Sequence, residues 1–321
     1  MNAIANAKTF TPNTDNSVQI ANDHEPRLSR DYAIKGMLWS GDVAIMPGPS
    51  NAGKTAMAIL MGWHVCAGEA FAGRRVRRGA VVHVAAERPD SVLNRAATLF
   101  KLRGRRDLAP YFVYGERINL TDPESVGMLI DRIRAFMATI DAPLRLVTID
   151  TAVLCMGDAD ENSSRDVTII IEGLKQIAAA TGAVVLTLHH TGNEGNRSRG
   201  SSAWRSNHDA DFPLMVVNTK EGEHVELQDA KARDNAKGLK IRFRVEGHLI
   251  GQDDDGDDVT VAVARLLDDE EGAAVEGPRP ERDRGVDPDR QRATEILKAM
   301  RTLGERNPTR MDFMVLISTR N

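Results

Sequence analysis

The sequence predicts an α/β fold, a mostly parallel sheet with helices on both faces, extended by antiparallel strands. Two features predict it. From about residue 29 to 190, short β-branched runs alternate with longer helical stretches, the spacing of strand–helix–strand units. From about 212 to 267 the strands continue with no helix between them, and two turn-like links join them.

Taken in order, the first 28 or so residues are polar, rich in Asn and Thr and without a period, which reads as a flexible arm. Strands are expected at Asp42–Met46, Ala80–Ala85, Tyr111–Tyr114, Arg145–Ile149 and Ala183–Leu188, with helices near 54–67, 89–102, 122–140 and 164–181. The later strands are Phe212–Asn218, Val225–Ala230, Lys240–Val245 and Val259–Leu266. Their links are Lys220 to Glu223 and the acidic run Asp253 to Asp258, which lacks the ligand spacing of a calcium loop and reads as a hairpin tip. Residues 29–267 therefore form one domain. A charged, Gly- and Pro-containing linker follows over 268–288. The segment 289–321 carries one amphipathic helix (Ala293, Ile296, Leu297, Met300, Leu303), too short to bury a core alone.

Composition narrows the function. The chain has 321 residues, 41% hydrophobic and 27% charged, as ordinary globular proteins do. Aromatic residues make up 4%, which argues against a surface of many stacked rings. The net charge of −4 does nothing on average for a nucleic-acid partner, but it hides segregated acidic and basic clusters. Cys66 and Cys155 lie far apart without His or Cys neighbours, so neither a zinc site nor a disulfide framework is expected. The N-terminus lacks the basic start and apolar core of a secretory signal, and no window approaches ~18 uninterrupted apolar residues. The expectation is a cytoplasmic protein with no membrane partner.

The stretch Gly48-Pro49-Ser50-Asn51-Ala52-Gly53-Lys54-Thr55 fits G-x-x-x-x-G-K-[ST] in full, after an apolar strand and before a helix. Its glycines let the backbone turn successive N–H groups toward phosphate oxygens. The helix beginning near Lys54 adds its positive end. Residues Gly48 to Ala56 are thus expected to hold ATP, with Lys54 on the β- and γ-phosphates and Thr55 on Mg²⁺. Such a loop needs a metal-holding acid at the end of another strand. Leu146-Val147-Thr148-Ile149-Asp150 offers Asp150. Val81-Val82-His83-Val84-Ala85-Ala86-Glu87 ends a further strand in an acid, so Glu87 is the candidate general base. The fifth strand ends in His189-His190. Adjacent strand residues face opposite ways, so one of the two faces the nucleotide as a sensor, and the sequence leaves open which.

With "VVHVAAE", "LVTIDT", "GDADENSSRDV", "TGAVVLTLHHTG", "RGSSAWR" and "KARDNAKG" following the loop in order, residues 35 to 246 or so resemble the RecA-like P-loop ATPases. They look most like the hexameric helicases of the plasmid RepA type and related phage and mobile-element ATPases. The resemblance implies a RecA-type core and ATP hydrolysis in a ring, such as a hexamer, or a filament, usually coupled to DNA, with sites that lie between subunits. It implies that Lys231 and Arg233 act in trans on a neighbour's nucleotide. The RepA-type arginine some ten residues beyond "RGSS" is absent; His208-Asp209-Ala210-Asp211 stands there, so a finger comes from Lys231/Arg233 or from Arg199 or Arg205.

Residues Gly192 to Asn207 are small, polar and basic, and in RecA-like rings the loop at this place faces the central channel. Arg197, Arg199, Trp204 and Arg205 are then candidates for gripping single-stranded DNA. The alternative is a surface loop whose Trp204 packs on the core. Arg74, Arg75, Arg77 and Arg78 read as a solvated turn away from the site. Three functions remain: a helicase or translocase in replication, a nucleotide-switched loader with a replication-protein partner, or a recombinase-like filament former.

Overall fold

A computed structural model describes residues 29–190, 203–219, 222–229, 231–232 and 239–267. The expected N-terminal arm, the linker and the C-terminal helix lie outside the described residues.

The described chain opens with a small hairpin, β1 (Tyr32–Ile34) and β2 (Leu38–Trp39), which the strand–helix alternation does not announce. The alternating part then runs β3 (Val43–Gly48), α1 (Lys54–Ala67), β4 (Ala80–Ala85), α2 (Pro89–Arg103), β5 (Tyr111–Tyr114), α3 (Pro123–Met137), β6 (Leu144–Asp150), α4 (Ser164–Thr181) and β7 (Val184–His190). Local chemistry sets the helix ends. Asp122 caps α3 by accepting the Glu124 N–H at 3.0 Å, with Pro123 at the first helical position. Ser163 caps α4, and α1, α2 and α4 each stop at a left-handed glycine, Gly68, Gly104 and Gly182.

After α5 (Ala203–Asn207) come β8 (Ala210–Asp211), β9 (Leu214–Thr219), β10 (Gly222–Gln228), β11 (Lys231–Ala232), β12 (Lys240–Gln252) and β13 (Asp258–Leu266). The strand expected over Phe212–Asn218 begins two residues later, as β9 at Leu214, while the β8 that precedes it ends at Asp211 in the other sheet. Pro213 has no N–H for a ladder, and the chain changes sheets there. The β12–β13 hairpin turns at the acidic run, as expected, and extends well past Val245.

The main sheet has the order β11-β8-β3-β7-β6-β4-β5, parallel except for β11. The second sheet, β13-β12-β10-β9, is antiparallel. This is the RecA-like P-loop α/β core with an antiparallel extension. On one face of the main sheet, α1 and α2 lie between it and the second sheet, whose Leu227, Ile241 and Phe243 join their core. That position explains the composition of α1, in which every residue but Thr55 is buried. The other face is covered by α3 and α4, and Trp204 of α5 is buried there. Cys66 and Cys155 are both buried free thiols.

Candidate nucleotide site

Parallel strands place their carboxyl ends along one edge, and there the candidate residues meet. Gly48 at the end of β3 pairs in register with His190 at the end of β7, and Ala85 of β4 pairs with Asp150 of β6. Strand β7 separates the loop-bearing β3 from the acid-bearing β6. Gly53, before α1, has φ +77°, a conformation that glycine adopts readily. A Cβ there would lie 2.5 Å from Val245 Cγ2, so the second sheet holds the loop closely from outside.

The Lys54 ammonium is buried and donates to the carbonyls of Gly48 (2.9 Å) and Pro49 (2.8 Å), with His190 Nδ1 at 3.2 Å. No carboxylate stands within ion-pair distance of it among the described residues. Burial lowers its pKa to about 8, against the opposing pull of Asp150. A buried cation without a counter-ion, at a helix N-terminus and on a glycine loop, suits a phosphate. The Thr55 hydroxyl donates to Asp150 Oδ2 at 2.8 Å. Burial raises the Asp150 pKa, but hydrogen bonds from His83 and Thr55 and the Lys54 charge outweigh it, and the net shift is downward.

Side-chain parity sorts the two histidines. Val184, Leu186 and Leu188 of β7 face the core of α1, so His190 does too, beside Lys54 and 3.4 Å from Ser50 Oγ. His189 points to the opposite face, fully buried, its ring stacked on Trp204 at 4.5 Å. Of the two, His190 is therefore the one on the face of the phosphate loop, and His189 is not. Burial, then the nearby charges of Lys54 and His189, lower the His190 pKa, with Asp150 and Glu87 opposing. Glu87, one residue past Ala86 at the end of β4, is exposed at this edge and close enough to act on His190.

Trp204 also needs correction as a base-stacking residue. It has 0% exposure and lies between His189 and His208, so no ring face is open to a nucleobase. Arg197, Arg199 and Arg233 lie outside the described residues, as does the side chain of Arg205. Lys231 is on edge strand β11, two strands from β3. His208 and Asp211, where an arginine was sought, are buried, and Asp209 Oδ2 accepts the Val43 N–H at 3.0 Å.

Sequence reasoning missed His83. It is fully buried mid-strand in β4, with Nε2 3.2 Å from Asp150 Oδ2 and Nδ1 2.7 Å from the Tyr111 hydroxyl. Burial raises the Tyr111 pKa well above normal, so the phenol keeps its proton. The Asp150 carboxylate can only accept, so the hydrogen of the second bond is on His83 Nε2. The available signal was one polar residue inside an otherwise apolar strand.

Among known proteins, the domain family described as "AAA domain" matches residues 9–196, more than half of the chain. The matched span takes in the loop, Glu87, Asp150 and His190, and stops short of Lys231 and the antiparallel sheet. No curated protein matches the chain. With a full phosphate-loop motif folded between strand and helix, and a buried lysine and acid at its mouth, the chain belongs to the AAA domain family of P-loop, nucleotide-dependent ATPases.

Proposed function

We propose that this ATPase is Mg²⁺-dependent and of the RecA/RepA type, working as a hexamer on DNA as a helicase or translocase in the replication of a plasmid, phage or mobile element. The supporting observation is the double role of β7. Its last residue, His190, touches Lys54 of the phosphate loop, and the chain then runs directly into the basic segment 192–207. A side chain that senses the terminal phosphate is thereby joined to the stretch best suited to grip nucleic acid.

The hydroxyl of Thr55 and carboxylate of Asp150 would hold Mg²⁺. Phosphate oxygens and water would complete the shell, as Mg²⁺ sites on nucleotides require. When bound, Mg²⁺ neutralises charge on the phosphates. Lys54 would give up its carbonyl partners for phosphate oxygens, and Glu87 would orient and deprotonate the attacking water. A positive group from a neighbouring subunit, Lys231 or Arg233, would complete the site; the edge position of β11 supports such reach outward.

The test is the steady-state ATPase rate with and without single-stranded DNA, at two salt concentrations. The motor reading expects strong stimulation that fades with salt. Absence of stimulation in an assembled protein would overturn it in favour of a nucleotide-switched loader.

A further inference from the structure

The end of the sheet opposite the nucleotide holds a second concentration of charge. Two loops form it, one following α1 and leading into β4, the other following α2 and leading into β5. The first carries Arg74, Arg75, Arg77 and Arg78; the second follows Lys101 and Arg103 with Arg105 and Arg106. Arg78 bridges the loops to Asp107 at 2.8 Å, and Ala109 N–H donates to Cys66 O at 2.9 Å. Lys35 joins from the β1–β2 turn, its N–H bonded to Arg75 O at 2.9 Å. The array is therefore one surface, tied together by backbone and side-chain bonds.

Structural duties use up part of this charge. Arg78 pairs with Asp107, Arg105 with Glu69 and Arg77 with Asp31, while Arg103 lies over the Trp63 ring. Five cations remain: Lys35, Arg74, Arg75, Lys101 and Arg106 have no ion pair among the described residues. Compensation of helix ends does not explain them. Only Lys101 among these five stands in the last turn of a helix, where a cation answers the macrodipole. In a chain whose net charge is −4, such clustering is segregation and not an average excess.

We infer that this surface binds the phosphate backbone of nucleic acid, at a second place distinct from the segment 192–207. Arginine predominates, and its planar fork suits phosphate oxygens. Insertion into a membrane surface would call for several exposed apolar residues among the cations; Leu102 is the one large apolar side chain exposed beside them among the described residues. Lying away from the phosphate loop, the surface holds nucleic acid without competing for nucleotide. The inference does not rest on the motor reading above.

The test is the affinity of the full chain for fluorescent oligo(dT) and for a duplex across a salt series, in wild type and Arg75→Gln/Arg106→Gln, with phosphatidylserine vesicles as a second probe. Each phosphate of a single strand that the protein no longer neutralises should reduce the slope of log K against log salt by about 0.7. The double variant should therefore bind oligo(dT) with a slope shallower by about 1.4 and roughly 10-fold more weakly at low salt. Nucleotide binding and the thermal midpoint should not change. If the double variant melts early, Lys35→Gln/Lys101→Gln poses the same question on the same face. An unchanged slope and affinity would overturn the inference, as would a loss confined to the vesicles. DNA stimulation of the ATPase is read separately, so failure of one result leaves the other standing.

Discussion

At the scale of single residues, the site depends on groups that only together make sense of their surroundings. Lys54 is a buried cation held by two carbonyls of the phosphate loop. Lys54→Ala is expected to abolish nucleotide binding, measured with a fluorescent nucleotide; normal binding would remove the loop from the site. Glu87→Gln should bind nucleotide as well as wild type and lose about 10²–10⁴ in turnover, the scale of a lost general base. Single-turnover hydrolysis checks it. His83 acts at one remove, through Asp150. His83→Phe keeps a ring of similar bulk but removes a bond to a buried carboxylate. It should raise the Mg²⁺ concentration for half-maximal turnover by about 10- to 100-fold, as disturbed outer partners of a metal site do. Nucleotide affinity without metal should hardly move, which separates positioning from general loss of fold.

At the scale of elements, α1 is the central case. It starts under the second sheet and ends at Gly68, and near that end His64 is packed against Trp63 and Phe71. Burial lowers the His64 pKa from 6.5 to about 4, partly opposed by its bond to Glu69 O. The folded value lies below the unfolded one, so the fold prefers the neutral ring. Its contribution is whole above about pH 6.5 and is lost progressively as pH falls through about 4. The shift corresponds to roughly 3 kcal/mol. His64→Leu should flatten the fall in urea midpoint over that window relative to wild type. Equal acid sensitivity in the two proteins would mean that the ring is not held neutral.

At the scale of the whole molecule, the expected trans-acting group decides whether one subunit suffices. Lys231 stands on the outermost strand of the main sheet beside β8, away from its own Asp150. If sites are shared, Arg233→Ala subunits mixed with wild type should depress ATPase activity by more than their mole fraction. A loss strictly proportional to the fraction would mean that each subunit completes its own site. The same architecture separates the two ends of the sheet. The phosphate loop sits at the strand carboxyl ends, and the basic surface lies at their amino ends.

Much of this was legible in the sequence, because the information was local. The α/β alternation, the helices at 54–67 and 164–181, the strands at Ala80–Ala85 and Tyr111–Tyr114, and the phosphate loop all follow from short-range periodicity and a contiguous motif. The placement of Asp150 and Glu87 at the strand ends was legible because a strand end is a local event. The tertiary structure decided whatever depended on register and on which face a side chain took. It turned His190 toward Lys54 and His189 toward Trp204, since a shift of one residue along a strand reverses its side chains. It brought His83 to Asp150 across 67 residues of sequence. It sent β8 and β9 to different sheets on either side of Phe212 and Pro213, and it joined two arginine-rich loops into one surface. Pairings between distant segments set these outcomes, and no local pattern encodes them.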